Sequence, residues 1–222
     1  MTSSHQFLEA LKRDVIEHAA IRHPLTSAFS ERRIGAAQAR RFAELYYPHI
    51  LRTRRYQAAA LSVCEDESMQ LALAQILSDE YGHGDPALTH PAIYRKLLRA
   101  LGLSTEAPTP SSGLRDYIAT HVRLTTGDWL SAIGCAGLAM EWPIPTFYRA
   151  IVAGLRGAGL ADDALELFIG HMTLDVEHAG LIHDALVPHL SSDEARARVR
   201  QGAIASMDAR ALWHGYIWSE LG

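Results

Sequence analysis

Apolar side chains recur at three- and four-residue intervals along nearly the whole chain, as in Phe7, Leu8, Leu11, Val15 and Ile16, and again in Leu71, Leu73, Ala74, Ile76 and Leu77. That period lines residues up on one face of a helix, whereas a half-buried strand needs alternation in twos, which no long segment shows. The pattern predicts helices at roughly 4–22, 36–63, 67–82, 90–102, 113–126, 128–156, 160–189 and 193–219. Most breaks have a chemical cause. His23-Pro24 is expected to end the first helix, Gly82-His83-Gly84-Asp85-Pro86 the third, and Gly102 the fourth. Ser191-Ser-Asp-Glu194 fits a capping box, in which a serine hydroxyl and a glutamate three residues on satisfy orphan amides reciprocally. The segment from Ser104 to Gly113 is the one clear linker. It separates halves too small to bury their own apolar faces, so residues 1–222 are expected to form a single all-α domain with an internal loop near 104–112.

Composition removes several functions. A formal net charge of −4 over 222 residues, without a basic stripe, argues against a nucleic-acid partner. No apolar run approaches the roughly 18 to 20 residues that a membrane span requires, and the opening Met-Thr-Ser-Ser-His-Gln lacks a secretory pattern. A cytoplasmic protein is expected. Cys64 and Cys135 are too few for a disulfide framework or a thiolate cluster, so each is expected to be a small buried side chain.

The candidate chemistry begins with His171-Met-Thr-Leu-Asp175-Val-Glu-His178. Positions i, i+4 and i+7 fall within an arc of roughly 60° on one helix face, so the three polar side chains can converge. A His-x-x-x-acid-x-x-His string is expected on the order of 0.07 times in a shuffled chain of this composition, whereas an acid-x-x-His pair is expected about 1.4 times. The triple is therefore the informative signal, and Glu80/His83 or Asp175/His178 alone is not. Imidazole with carboxylate suits borderline divalent ions such as iron, manganese or zinc. Glu141 ends the uncharged stretch Leu130 to Met140, where a carboxylate needs a partner, and Pro143 and Pro145 predict a disturbed helix beside it. Glu80 closes another apolar helix, and the glycine-rich turn after it can bring His90 back beside it.

The run Glu80-Tyr-Gly-His-Gly-Asp-Pro-Ala-Leu-Thr-His90-Pro-Ala-Ile-Tyr-Arg-Lys-Leu-Leu-Arg-Ala-Leu-Gly102, then Glu141, then His171-x-x-x-Asp175-x-x-His178, resembles the heme-oxygenase-like diiron oxidases. Thiaminase-type and pyrroloquinoline-quinone-synthesis proteins share that scaffold without the complete ligand set. The resemblance implies a heme-oxygenase-like bundle of about seven to eight helices and no heme. It implies metal ligands Glu80, His90, Glu141, His171, Asp175 and His178. Its cofactors would be two irons cycling between Fe(II) and Fe(III), with O2 as co-substrate. The expected substrate is a small amino acid or other carboxylate metabolite, with desaturation, C–C cleavage, N-oxygenation or oxidative cyclisation as outcomes in secondary metabolism. An external electron donor and a homodimer are both compatible with it.

The chain departs from the pattern in two places. Some relatives add a glutamate from the second helix, where this chain reads Leu51-Arg-Thr-Arg-Arg-Tyr56 and the nearest acid is Glu44. Others take the early histidine three residues after the glutamate, which would select His83. His90 is preferred because the following Ile-Tyr-x-x-Leu-Leu-x-x-Leu-Gly resembles the segment after the ligand histidine. Arg52, Arg54 and Arg55 are candidates for gripping a carboxylate, against the plainer reading of a solvated face. Tyr81, Trp142 and Tyr148 read as packing residues, and His18, His121, His183 and His214 as structural or surface residues. Three other readings stay open on the residues. One is a ferritin-like bundle using Glu80-x-x-His83 and Glu44. Another is a metal-free thiamine-salvage or quinone-forming enzyme, and the last is a helical interaction module.

Overall fold

The computed structural model describes residues 3–222. Among them there is no strand. The principal helices are α1 (Ser3–Ile16), α2 (Pro24–Ser30), α3 (Ala36–Ile50), α4 (Thr53–Val63), α5 (Glu67–Glu80), α6 (His90–Ala100) and α7 (Ser112–Thr125). They continue with α8 (Trp129–Ala132), α9 (Ala139–Glu141), α10 (Ile144–Gly157), α11 (Glu166–Leu186) and α12 (Asp193–Leu221). A π-helical segment, Ile133–Leu138, joins α8 to α9. No described helix is long and apolar enough to cross a membrane.

The structure refines the predicted elements at four points. The capping box predicted at Ser191 is displaced by one residue: Ser192 caps α12, its hydroxyl accepting from the Ala195 amide at 3.1 Å. His23-Pro24 starts a helix and does not end one: α1 stops at Ile16, and the His23 imidazole accepts from the Leu25 amide while Pro24 takes the first helical position, where its missing N–H leaves nothing unsatisfied. The predicted 36–63 helix is two. Pro48 withholds one donor from the last turn of α3, and the Arg52 guanidinium binds the Pro48 carbonyl at 2.8 Å where the chain bends into α4. The predicted 128–156 helix is interrupted by the π segment and again at Trp142-Pro143, so Glu141 stands between two irregularities. The linker after Gly102 has no regular structure until Ser112; the Tyr47 hydroxyl donates to its Thr105 carbonyl at 3.2 Å.

Long-range contacts place α12 against the π segment, α7 and α8, and α11 against α5 and α10. One cluster of buried apolar residues runs from Leu8 to Leu221 and draws on every principal helix. The π segment crosses α12 at backbone contact: a Cβ on Gly134 would lie 2.1 Å from the Val199 carbonyl oxygen, and one on Gly202 would lie 1.9 Å from the Ser131 carbonyl oxygen. Neither neighbour is a flexible side chain that can turn aside. This crossing sets the depth at which the segment leading to Glu141 sits. Gly202→Ala is expected to destabilise the fold by about 2–3 kcal/mol and to lower the melting temperature by about 5–10 °C. Gly170→Ala, at an exposed helical site with open space, should leave it unchanged or slightly raised. Thermal unfolding followed by circular dichroism measures both.

Candidate metal centre

Three separate devices bring six polar side chains together. At the end of α5, Glu80 is buried, and the chain reverses through Gly82, His83 and Gly84, all with positive φ. Gly82 is required twice over, since a Cβ there would also lie 2.6 Å from the Leu88 backbone carbon. Thr89 caps α6 by accepting from the Ala92 amide, which makes His90 the first helical residue and places its Nδ1 2.7 Å from Glu80 Oε2. The π segment and α9 deliver Glu141, which is also buried. On α11, His171, Asp175 and His178 share the face turned inward, while Val176 on the opposite face is 59% exposed.

The six form two triples. Glu80, His90 and His171 offer one donor atom each, all within 4.8 Å of one another; Glu141, Asp175 and His178 do the same. Their hydrogen bonds decide which atoms face inward. The Leu167 carbonyl can only accept, so His171 Nδ1–H donates to it at 2.6 Å and Nε2 is left with its lone pair, 3.2 Å from His90 Nδ1. His178 Nε2 lies 2.8 Å from Asp79 Oδ2, which turns Nδ1 toward Glu141 Oε2 at 3.4 Å and Asp175 Oδ1 at 3.9 Å. The Gln57 amide donates to Glu141 Oε1 at 3.0 Å. Asp175 Oδ1 is buried without any hydrogen-bond partner.

Burial and mutual repulsion govern the charges. Desolvation raises the Asp175 pKa well above the ordinary carboxylate value, with further pressure from Glu141 and Glu80, and desolvation likewise raises Glu141. Glu80 goes the other way: burial opposes ionisation, but His90, His171 and His178 together hold its pKa below normal. Burial, and after it the neighbouring His90 imidazole, depress His171 to about 4. For His178, burial pulls downward, yet Glu141 and Asp79 outweigh it and raise the imidazole to about 9.

Glu80, His90 and His171 of one triple, and Glu141 and Asp175 of the other, border an inner cavity of about 30 Å³, walled on its apolar side by Ile50, Met140, Ile144 and Leu167. Glu141 and Asp175 also floor an outer cleft of about 430 Å³ that has Lys12, Trp142 and His183 on its sides. His83 lies outside the cluster, mostly exposed, with Nε2 3.1 Å from Asp79 Oδ1. Glu44 pairs at the surface with Arg41, so the ferritin-like arrangement is not assembled. Arg52 is engaged by Pro48, Arg54 lies over the Tyr81 ring, and neither they nor Arg55 border the inner cavity. Tyr148, expected only to pack, does border it. Cys135 is fully buried with its thiol pushed up to about 12, unsuited to nucleophilic attack.

Sequence reasoning missed Asp79, Gln57 and Arg210. Asp79 is 99 positions from the histidine it orients, and nothing local marks that pairing. Arg210 left a readable trace. It stands three residues from both Met207 and Trp213, so a charge interrupts the apolar stripe of α12.

Residues 40–211 match the family described as iron-containing redox enzymes. The chain is 30% identical over 199 residues to a 4-aminobenzoate synthase of Chlamydia muridarum, an alignment that takes in 86% of this chain and 82% of that protein. It is 24% identical to a 4-chloro-allylglycine synthase of Streptantibioticus cattleyicolor, over 95% of this chain and 82% of that one. Among solved structures, a domain of unknown function with a heme oxygenase-like fold from Shewanella denitrificans superposes with a TM-score of 0.70 at 16% identity, covering 97% of this chain and 90% of that one. In metal-free protein, NMR titration of the His178 imidazole should give a pKa of about 9, and Glu141→Gln should bring it down toward the ordinary histidine value. An unmoved pKa in that variant would contradict the pairing.

Proposed function

The chain belongs to the family of iron-containing redox enzymes and is an oxidoreductase, and from that premise we propose that it holds two irons and uses O2 to oxidise a small amino acid or other carboxylate metabolite. The observation that carries the reading is the pair of adjacent three-donor clusters, five of whose six residues line one cavity. Glu80, His90 and His171 would hold one iron, and Glu141, Asp175 and His178 the other. The donor set of three imidazoles and three carboxylates suits iron. The orphaned Asp175 Oδ1 supports the fit, because a buried carboxylate oxygen without a partner is unfavourable unless a cation meets it.

When bound, two ferrous ions supply the electrons and Lewis acidity for O2 chemistry. The protein's part is orientation and exclusion. Asp79 fixes His178 so that Nδ1 faces inward, the Leu167 carbonyl fixes His171 so that Nε2 does, and the Gln57 amide holds one oxygen of Glu141. The apolar wall of the cavity limits water, while the outer cleft provides a route from solvent to Glu141 and Asp175. The names of the two relatives denote products that carry both a carboxylate and an amino group, which supports that substrate class here. An external reductant completes the turnover.

Anaerobic titration with iron(II), followed by O2 addition and product analysis with a panel of amino acids and other carboxylates, tests the reading. Two irons per chain are expected in the wild type and in His83→Ala, and fewer than two in His90→Ala and His178→Ala. One iron or none in the wild type would overturn it. Asp79→Asn should keep the fold but weaken iron binding about 10- to 100-fold. Because iron must displace the proton that His178 holds up to about pH 9, affinity should rise with pH. The expected slope is at least about tenfold per unit between about pH 6 and pH 8, accompanied by proton release in calorimetry.

A further inference from the structure

Arg210 lies near the middle of α12 with 3% of its surface exposed, and it borders the same inner cavity as Glu80, Glu141 and Asp175. Buried guanidinium groups are ordinarily matched by a carboxylate, because an unmatched charge in the interior is strongly unfavourable. Among the described residues no carboxylate comes within 4.0 Å of this one, and its Nη1 is buried without a hydrogen-bond partner. Its ionisable surroundings include the phenols of Tyr46, Tyr117 and Tyr148 and the imidazole of His49, whose pKa burial and Arg210 push well below normal, so that it is neutral. None of these supplies a negative charge at neutral pH.

A purely structural counter-ion for the buried carboxylates would touch one of them. Arg210 does not, although Asp175, on the same cavity, has an unpartnered oxygen of its own. A buried cation and a buried carboxyl group that share a cavity without pairing mark places for two different occupants. With two ferrous ions contributing about +4, three carboxylates about −3 and Arg210 about +1, the assembly retains about +2. An anion is the complement, and a planar carboxylate matches the forked donors of a guanidinium.

Resting on the diiron reading above, we propose that Arg210 is the substrate-anchoring residue, pairing with the carboxylate of the metabolite and holding that head group against the metal-facing donors. This places the anchor on the last helix and not on the arginine cluster of Arg52, Arg54 and Arg55. The cavity of about 30 Å³ admits a group of one or two water-sized volumes, which suits a carboxylate head.

Formate is therefore the probe, with formamide as a neutral control of the same size. Iron(II)-loaded protein under anaerobic conditions is titrated with each by calorimetry and by thermal shift. Formate should bind and stabilise the wild type, with formamide at least about tenfold weaker. Arg210→Gln should still carry two irons and native helical content, but lose formate affinity by about tenfold or more together with the preference over formamide; Arg210→Lys should retain part of both. Formate affinity in Arg210→Gln within twofold of the wild type, or no preference for formate in the wild type, would overturn the assignment. If Arg210→Gln fails to fold, the same comparison is decided on Arg210→Lys, where undiminished affinity would count against the forked contact. The iron count is read on the same samples. A wild type with fewer than two irons defeats the diiron reading separately, and Arg210 is then judged by the same formate and formamide titrations on the protein as it stands.

Discussion

Three carboxylates and three imidazoles are gathered inside a helical core, and the strain of doing so organises the rest of the structure. Carboxylates at such depth repel one another and lose their hydration, which is why Asp175 and Glu141 are driven toward their protonated forms. The histidines relieve part of this, Glu80 through His90 and Glu141 through His178. What they cannot relieve is visible in Asp175, whose Oδ1 meets no donor. A site built this way suits a cation, and the chain belongs to the family of iron-containing redox enzymes.

The backbone bends to serve the same end. A regular helix from 128 to 156 would carry Glu141 past the face of α11; the π segment and the break at Trp142-Pro143 let it meet His178 instead. Insertions of this type shift the helical phase at one place without disturbing the residues on either side. The segment can sit deep enough only because Gly134 and Gly202 let it touch α12 backbone to backbone. At the other triple, a turn of positive-φ residues performs the equivalent service by returning His90 to Glu80. Around both, Asp79, Gln57 and the Leu167 carbonyl set ring and carboxylate orientations, so the donor atoms are arranged before any ion arrives.

Arg210 stands apart from this symmetry of acid and base. It adds positive charge where, on the proposed diiron reading, two metals would already bring an excess; its Nη1 is buried without a partner, and the residue lines the same cavity as Glu80, Glu141 and Asp175. The proposed carboxylate substrate would answer both features at once, pairing with the guanidinium and offsetting the positive charge.

Period and spacing alone determined the helical class, most element positions and the common face of His171, Asp175 and His178, because each depends on residues within a few turns of one another. The isolation of Glu141 after the uncharged stretch Leu130 to Met140 was equally legible, since a lone acid stands out against apolar neighbours. Local pattern failed where a single residue changes the phase or the role of a helix: His23-Pro24 starting α2, Pro48 dividing α3 from α4, and the π segment before Glu141. Only the tertiary structure decided that His90 and not His83 meets Glu80, that Asp79 holds His178 from the neighbouring helix, and that Arg210 faces the cavity while the arginine cluster does not. These pairings join positions as far as 99 residues apart. Side-chain direction across a packed interface is set by how whole helices cross, which no short stretch of sequence contains.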